Sequence, residues 1–149
     1  MEKCRTVSKK GEDKNMVLVV CIDKNMGMLF NNRRQSRDRV LIERLLDKIG
    51  ENKLYITEFS RILFADNESK IEVVEDFNDV KDEKYCFVEN IDETMLEDKV
   101  EKIIIYDWNK VYPADKTFDI SLDGWKLESL EDFVGYSHDK ITEKVYVRG

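Results

Sequence analysis

Two rhythms of apolar residues run along this chain. VLVVCI at 17–22 is a continuous, valine-rich run, the pattern of a strand covered on both faces. Leu41, Ile42, Leu45, Leu46 and Ile49 instead recur at helical spacing, with Ser36 in N-cap position and Gly50 as a stop. That predicts a helix over 37–49 and leaves 23–35 as the loop before it. KLYIT at 53–57 reads as a second strand and EFSRILF at 58–64 as a short helix whose Phe59, Ile62 and Leu63 share a face. IEVV at 71–74 and YCFV at 85–88 are short strands, 91–98 is a helical turn, and KIIIYDWN at 102–109 is another buried strand. After it the rhythm changes: TFDIS, GWKLESLED and ITEKVYVR alternate apolar and polar positions, as antiparallel strands do. The order predicts a mixed sheet, parallel first and closed by an antiparallel hairpin.

The first fifteen residues, MEKCRTVSKKGEDKN, are charged, lack an apolar core, and read as a disordered extension ahead of a single domain over 16–149. The longest apolar run, MVLVVCI, is too short to span a bilayer, which points to a cytoplasmic protein. A net charge of −7 disfavours nonspecific nucleic-acid binding, where phosphate attraction supplies most of the affinity. Cys4, Cys21 and Cys86 are widely spaced and read as reduced thiols, and the single histidine, His138, excludes any metal centre built on two imidazoles.

Candidate chemistry concentrates in GMLFNNRRQSRD at 27–38. Arg33, Arg34 and Arg37 carry planar forks suited to carboxylate or phosphate, just ahead of a helix N-terminus, while Asn31, Asn32, Gln35 and Ser36 add hydrogen-bonding groups. The competing reading pairs these arginines with Asp23, Asp38 and Glu43. Asp38 fits a general acid, or an anchor for an amino-heterocycle if burial raises its pKa; it equally fits a first-turn acid in the helix dipole. Tyr106, Trp108 and Tyr112 bring aromatic rings to a strand end, for a ring-binding cleft or for packing over the turn at Pro113. His138 serves as a proton carrier or as a structural imidazole bonded to Ser137 or Asp139.

VLVVCIDKNMGM, with an acidic residue and then a glycine after an apolar strand, resembles the first strand and substrate loop of the dihydrofolate reductase family. Asp38, eleven residues after Gly27, falls close to that family's catalytic carboxylate. KIIIYDWNKVYPADKTFDI and the tryptophan-led GWKLESLEDFVGYSHDKITEKVYVR are similar to its late strand, acidic turn and terminal hairpin. The resemblance implies one α/β domain with a mixed twisted sheet and flanking helices, a catalytic role for Asp38, and Ser60 near a cofactor phosphate. FVENID at 87–92 lacks the family's paired glycines, and Glu58 stands where an arginine would hold phosphate, so NADPH is disfavoured and no cofactor is expected. FNNRRQSRD, YCFVEN, WNKVYPAD and SHDKITEKVY also resemble short bacterial proteins labelled ribonuclease Z. With one histidine and no H-x-H-x-D-H cluster, the chain cannot build the two-zinc site that label implies.

Three functions follow as expectations. The first is a divergent, non-reductase protein that binds a small anionic or planar metabolite, a pterin or nucleotide, between the 23–38 loop and the 106–115 strand end. The second is an NADPH-dependent reductase using Asp38 and Ser60. The third is a module that contacts a protein or RNA through the arginines.

Overall fold

Alternation along the first strand explains the layered architecture. In β1 (Met16–Ile22), Val17 and Val19 face one apolar cluster while Leu18 and Val20 face another, so both sides of the sheet are covered. The structure is a computed structural model that describes residues 15–79 and 84–149; the expected disordered extension, and Cys4 with it, lies outside them apart from Asn15. Further strands follow in chain order: β2 (Gly27–Phe30), β3 (Arg33–Arg34), β4 (Leu54–Ile56), β5 (Ile71–Val73) and β6 (Lys84–Phe87). Then come β7 (Val100–Asp107), β8 (Lys116–Thr117), β9 (Trp125–Phe133) and β10 (Ile141–Arg148). The main sheet has the order β5-β4-β6-β1-β7-β10-β9, parallel from β5 to β7, with β10 and β9 antiparallel at one edge. This is the mixed sheet the sequence pattern predicts.

The helix α1 (Arg39–Ile49) buries Leu41, Ile42, Leu45, Leu46 and Ile49 against β1, the apolar set read from its spacing. Truncating one of these leucines to alanine would cost about 2–5 kcal/mol. Its N-cap is Asp38 rather than Ser36: the extended Asp38 backbone turns its carboxylate onto the Val40 and Leu41 amides. Gly50 ends it with a positive φ of 64°.

Other boundaries move for physical reasons. The stretch 23–35 holds β2 and β3, which form a small second sheet with β8, because Asn31 and Asn32 both accept positive φ and reverse the chain. The expected short helix after β4 is a 3-10 segment, Glu58–Lys70, broken by non-helical backbone at Phe64 and Asn67. Of TFDIS only Thr117 is strand, as the end of β8, since Phe118 and Ile120 turn into the core instead. Cys21 and Cys86 are free thiols, and burial pushes Cys86 up to about 12, far from a reactive thiolate. Among the described residues no helix is long and apolar enough to cross a membrane.

Candidate functional site

Parallel strands bring their carboxyl ends to one edge of the sheet, where open α/β sheets hold their crevice. Here Cys21 of β1, Phe87 at the end of β6, Glu89 just after it, and Trp108 after β7 meet there, facing Leu41 and Ile42 of α1 and Leu63 of the 3-10 segment. They line a tight cavity of about 20 Å³, together with Arg34, Gln35, Ser36, Arg37 and Asp38. A wider cleft of about 520 Å³ opens between the start of α1, the 3-10 segment and the turn at Tyr136 and Ser137. Arg37, Asp38, Ile42 and Leu63 belong to both spaces.

Asp38 is fully engaged within the protein. Its Oδ1 accepts from the amides of Val40 at 2.9 Å, Leu41 at 3.3 Å and Tyr136 at 2.8 Å. Its Oδ2 accepts from the Ser137 amide at 2.9 Å and meets His138 Nδ1 at 2.7 Å. Burial alone would raise its pKa, but the His138 hydrogen bond and the amides of Ser137, Tyr136 and Leu41 outweigh it and hold the group at about 2. The raised pKa that a proton-supplying carboxylate requires is therefore absent. Asp38 joins the helix start to the 135–138 turn, a hundred residues away.

His138 is buried; of its two expected partners it meets Ser137, whose Oγ lies 3.4 Å from Nδ1, and not Asp139, and its shorter contacts fix its chemistry. A carboxylate carries no proton to give, so Nδ1 donates to Asp38; in the neutral ring Nε2 then accepts, at 2.8 Å, from the Ser36 hydroxyl. The imidazole is stacked on Trp108, with centroids 4.6 Å apart and planes 28° apart. Ser36 is half-buried and lines the tight cavity.

A second network removes Arg34 and Ser60 from the set of free anion ligands. Arg34 grips Glu89 bidentately, with both nitrogen–oxygen distances at 2.9 Å, donates to the Phe59 carbonyl and lies over the Phe59 ring. Ser60 is buried and donates to the same carboxylate at 2.7 Å. Glu89 thus occupies the position an anion would need at either residue, and its charge repels a phosphate brought to Ser60.

Gln35 is held from the other side. Its Nε2 donates to Asp23 Oδ2 at 3.1 Å and to the Pro113 carbonyl at 3.4 Å, which fixes the orientation of the amide. Its buried Oε1 has no hydrogen-bond partner among the described residues, although Gln35 lines the tight cavity. Asp23 also accepts from the Asn25, Gly27 and Tyr112 amides, pinning the turn between β1 and β2 to the turn after β7. Gly27 admits this arrangement: a Cβ there would fall 2.6 Å from Ala114 Cβ and 2.7 Å from Gln35 Nε2.

Of the residues the sequence nominates, Arg34, Gln35, Ser36, Asp38 and Trp108 meet around the tight cavity. Asn31 is exposed and donates its amide to Asp115 at 3.0 Å, and Arg33 is exposed on β3; neither lines the cavity or the cleft. Tyr106 is also absent from both linings: it shares its face of the sheet with Cys21 and Trp108, but its ring packs toward β9 beside Phe133 and its hydroxyl donates to Glu143 of β10 at 2.8 Å. Glu89 was not among the nominated residues, and His138 was nominated without its partners Asp38 and Ser36. Glu89 looks in sequence like any acid after a strand, and nothing local to GYSHDKIT announces a partner one hundred residues away.

No family model and no curated protein matches the chain. Among solved structures, a dihydrofolate reductase from Enterococcus faecalis complexed with NADP(H) and RAB-propyl superposes with a TM-score of 0.64 at 10% sequence identity. The match covers 92% of this chain and 98% of that one. The chain has the dihydrofolate reductase-like fold, the mixed α/β architecture that its element order and terminal hairpin resemble in sequence.

Proposed function

We propose that this protein is a divergent dihydrofolate reductase-like binding protein, without reductase activity, that takes a small anionic metabolite of the pterin or nucleotide class in the cleft beside the start of α1. The observation that carries the reading is Arg37. Its side chain has no ion pair or hydrogen bond among the described residues, and it lines both the tight cavity and the wider cleft. An unpaired guanidinium beside a helix entrance is suited to a carboxylate or phosphate. The free Gln35 Oε1 supports a ligand that also carries an N–H or O–H donor, as pterins and nucleobases do. Of the three arginines first given this role, Arg37 keeps it, since Arg34 is occupied by Glu89 and Arg33 lines neither space.

The engagement of Asp38 argues against proton delivery, and Glu89 beside Ser60 argues against a cofactor phosphate there. Thermal shift against NADPH, folates, nucleotides and short RNA tests the reading. A ligand that binds only the folded state stabilises it by about 2.7 kcal/mol at a hundred times its dissociation constant. A pterin or nucleotide should raise the melting temperature of the wild type, the Arg37→Ala variant should lose that response, and dihydrofolate with NADPH should not turn over. A shift from RNA alone, or from none of these compounds, favours the macromolecular partner that exposed Arg33 would serve.

A further inference from the structure

The chain Asp38–His138–Ser36 has the order of contacts that activates a serine. We propose that Ser36 is a nucleophile, His138 its general base and Asp38 the group that positions the imidazole, in a hydrolytic site for small carboxylic esters. The two links are 2.7 Å from Asp38 Oδ2 to His138 Nδ1 and 2.8 Å from His138 Nε2 to Ser36 Oγ, both within the reach such a relay requires. Order of burial supports the direction of transfer. The Asp38 side chain is fully enclosed and that of His138 is 5% exposed, whereas Ser36 is half-buried on the cavity wall. A sealed acid, a shielded base and a half-buried serine on a cavity wall follow the order that nucleophilic attack demands. Stacking on Trp108 and the Asp38 contact together fix the ring plane, so Nε2 stays directed at Ser36.

A developing oxyanion also has a donor in the chain. The Arg37 backbone N–H follows the nucleophile directly and has no partner among the described residues, the relationship by which the residue after a nucleophilic serine supplies an oxyanion contact. In the reaction, Ser36 Oγ bonds to the ester carbonyl carbon while its proton passes to His138 Nε2. The carbon–oxygen bond to the alcohol breaks, and the departing alkoxide takes that proton. Water then attacks the acylated Ser36, gives a proton to Nε2, and the serine oxygen leaves with it, so the products are one acid and one alcohol without oxidation or reduction.

The proposal does not depend on the anion-binding reading, and its test uses neither pterin nor nucleotide. The full-length protein is treated with diisopropyl fluorophosphate, and the modified peptide is located by mass spectrometry, alongside hydrolysis of p-nitrophenyl acetate. The expected result is a diisopropylphosphoryl group on Ser36 and ester hydrolysis that Ser36→Ala lowers by roughly a hundredfold or more, at an unchanged melting temperature. His138→Gln should abolish the modification of Ser36; because His138 is buried, Ser36→Ala, which deletes one half-buried hydroxyl, carries the decision if the histidine variant does not fold. Folded wild type that leaves Ser36 unmodified under conditions that fully modify a serine esterase, or a Ser36→Ala variant that keeps the wild-type hydrolysis rate, overturns the proposal.

Discussion

Gly135 and Asp38 meet at a distance that a side chain would forbid: a Cβ at Gly135 would lie 2.5 Å from Asp38 Oδ2 and 2.9 Å from its Cγ. Ile141 Cδ1, also at 2.9 Å, blocks escape on another side. The carboxylate reaches the Tyr136 and Ser137 amides because residue 135 carries nothing in the way.

Gly135→Ala should therefore destabilise the protein by about 1–3 kcal/mol through overpacking. Loosened hydrogen bonds at Asp38 add to that cost. Equilibrium denaturation in urea measures it. Ser137→Ala, which deletes two long contacts of 3.4 Å, to Asp38 Oδ2 and to His138 Nδ1, is the control and should change stability by less than about 0.5 kcal/mol. Equal effects in the two variants would mean that the turn tolerates a side chain at residue 135.

Acid should reveal the same relationship. Asp38 titrates at about 2 in the folded protein, below the ordinary carboxylate value, so its stabilising contribution is complete above the unfolded pKa near ~4 and is lost as the pH falls toward 2. The size of the effect is about 2 kcal/mol. Asp38→Asn should abolish this part of the pH dependence. It should also lower stability at neutral pH, since an amide nitrogen would face donors that now meet a carboxylate oxygen. Denaturation midpoints recorded between pH 6 and pH 2 for both proteins test it; parallel curves would contradict the assignment.

The neighbouring arginines should separate cleanly. Arg34→Ala leaves the buried Glu89 carboxylate with the Ser60 hydroxyl but without its cation, a loss of about 3–5 kcal/mol. Arg33→Ala, at an exposed position outside the cavity, should stay within about 0.5 kcal/mol of the wild type. Similar melting temperatures for the two variants would show that the Glu89 pair carries little of the fold.

Much of this arrangement was legible in the chain because it rests on local periodicity. Val17 to Ile22 and the Leu41–Ile49 face announce themselves by spacing, and the change to alternation after Asp107 marks the antiparallel edge. Asp38 was recognisable as an acid at the helix start, but read as a first-turn residue; its role as the N-cap depends on the helix beginning at Arg39. Contacts without a local signature were not legible. Arg34 reads as an anion ligand until Glu89, fifty-five residues on, is folded against it, and Ser36 reads as a cap until His138 arrives at its hydroxyl. Arg33 and Arg34 are adjacent in sequence, and only their opposite directions along β3 send one to solvent and the other to Glu89.

Tyr106 offers the complementary test, of a residue that the sequence put at the site and that its contacts with Glu143 and Phe133 hold elsewhere on the same face of the sheet. Its hydroxyl donates to Glu143, which also receives Arg44 at 3.2 Å and Lys48 at 3.4 Å. Burial opposes the Glu143 charge, but the hydrogen bonds from Arg44 and Tyr106, with the positive charge of Lys48, hold its pKa below the ordinary range. Tyr106→Phe removes one of these donors and keeps the ring against Phe133, so the loss should be about 1.5–3 kcal/mol, as for a hydrogen bond to a charged group, moderated by the two remaining cations. Urea denaturation measures the loss. Because Tyr106 lines neither the cavity nor the cleft, the thermal shift produced by any pterin or nucleotide that stabilises the wild type should be unchanged in the variant. A variant with wild-type stability but a diminished ligand response would return Tyr106 to the binding site and require the ring to reach the cleft by a rearrangement of β7.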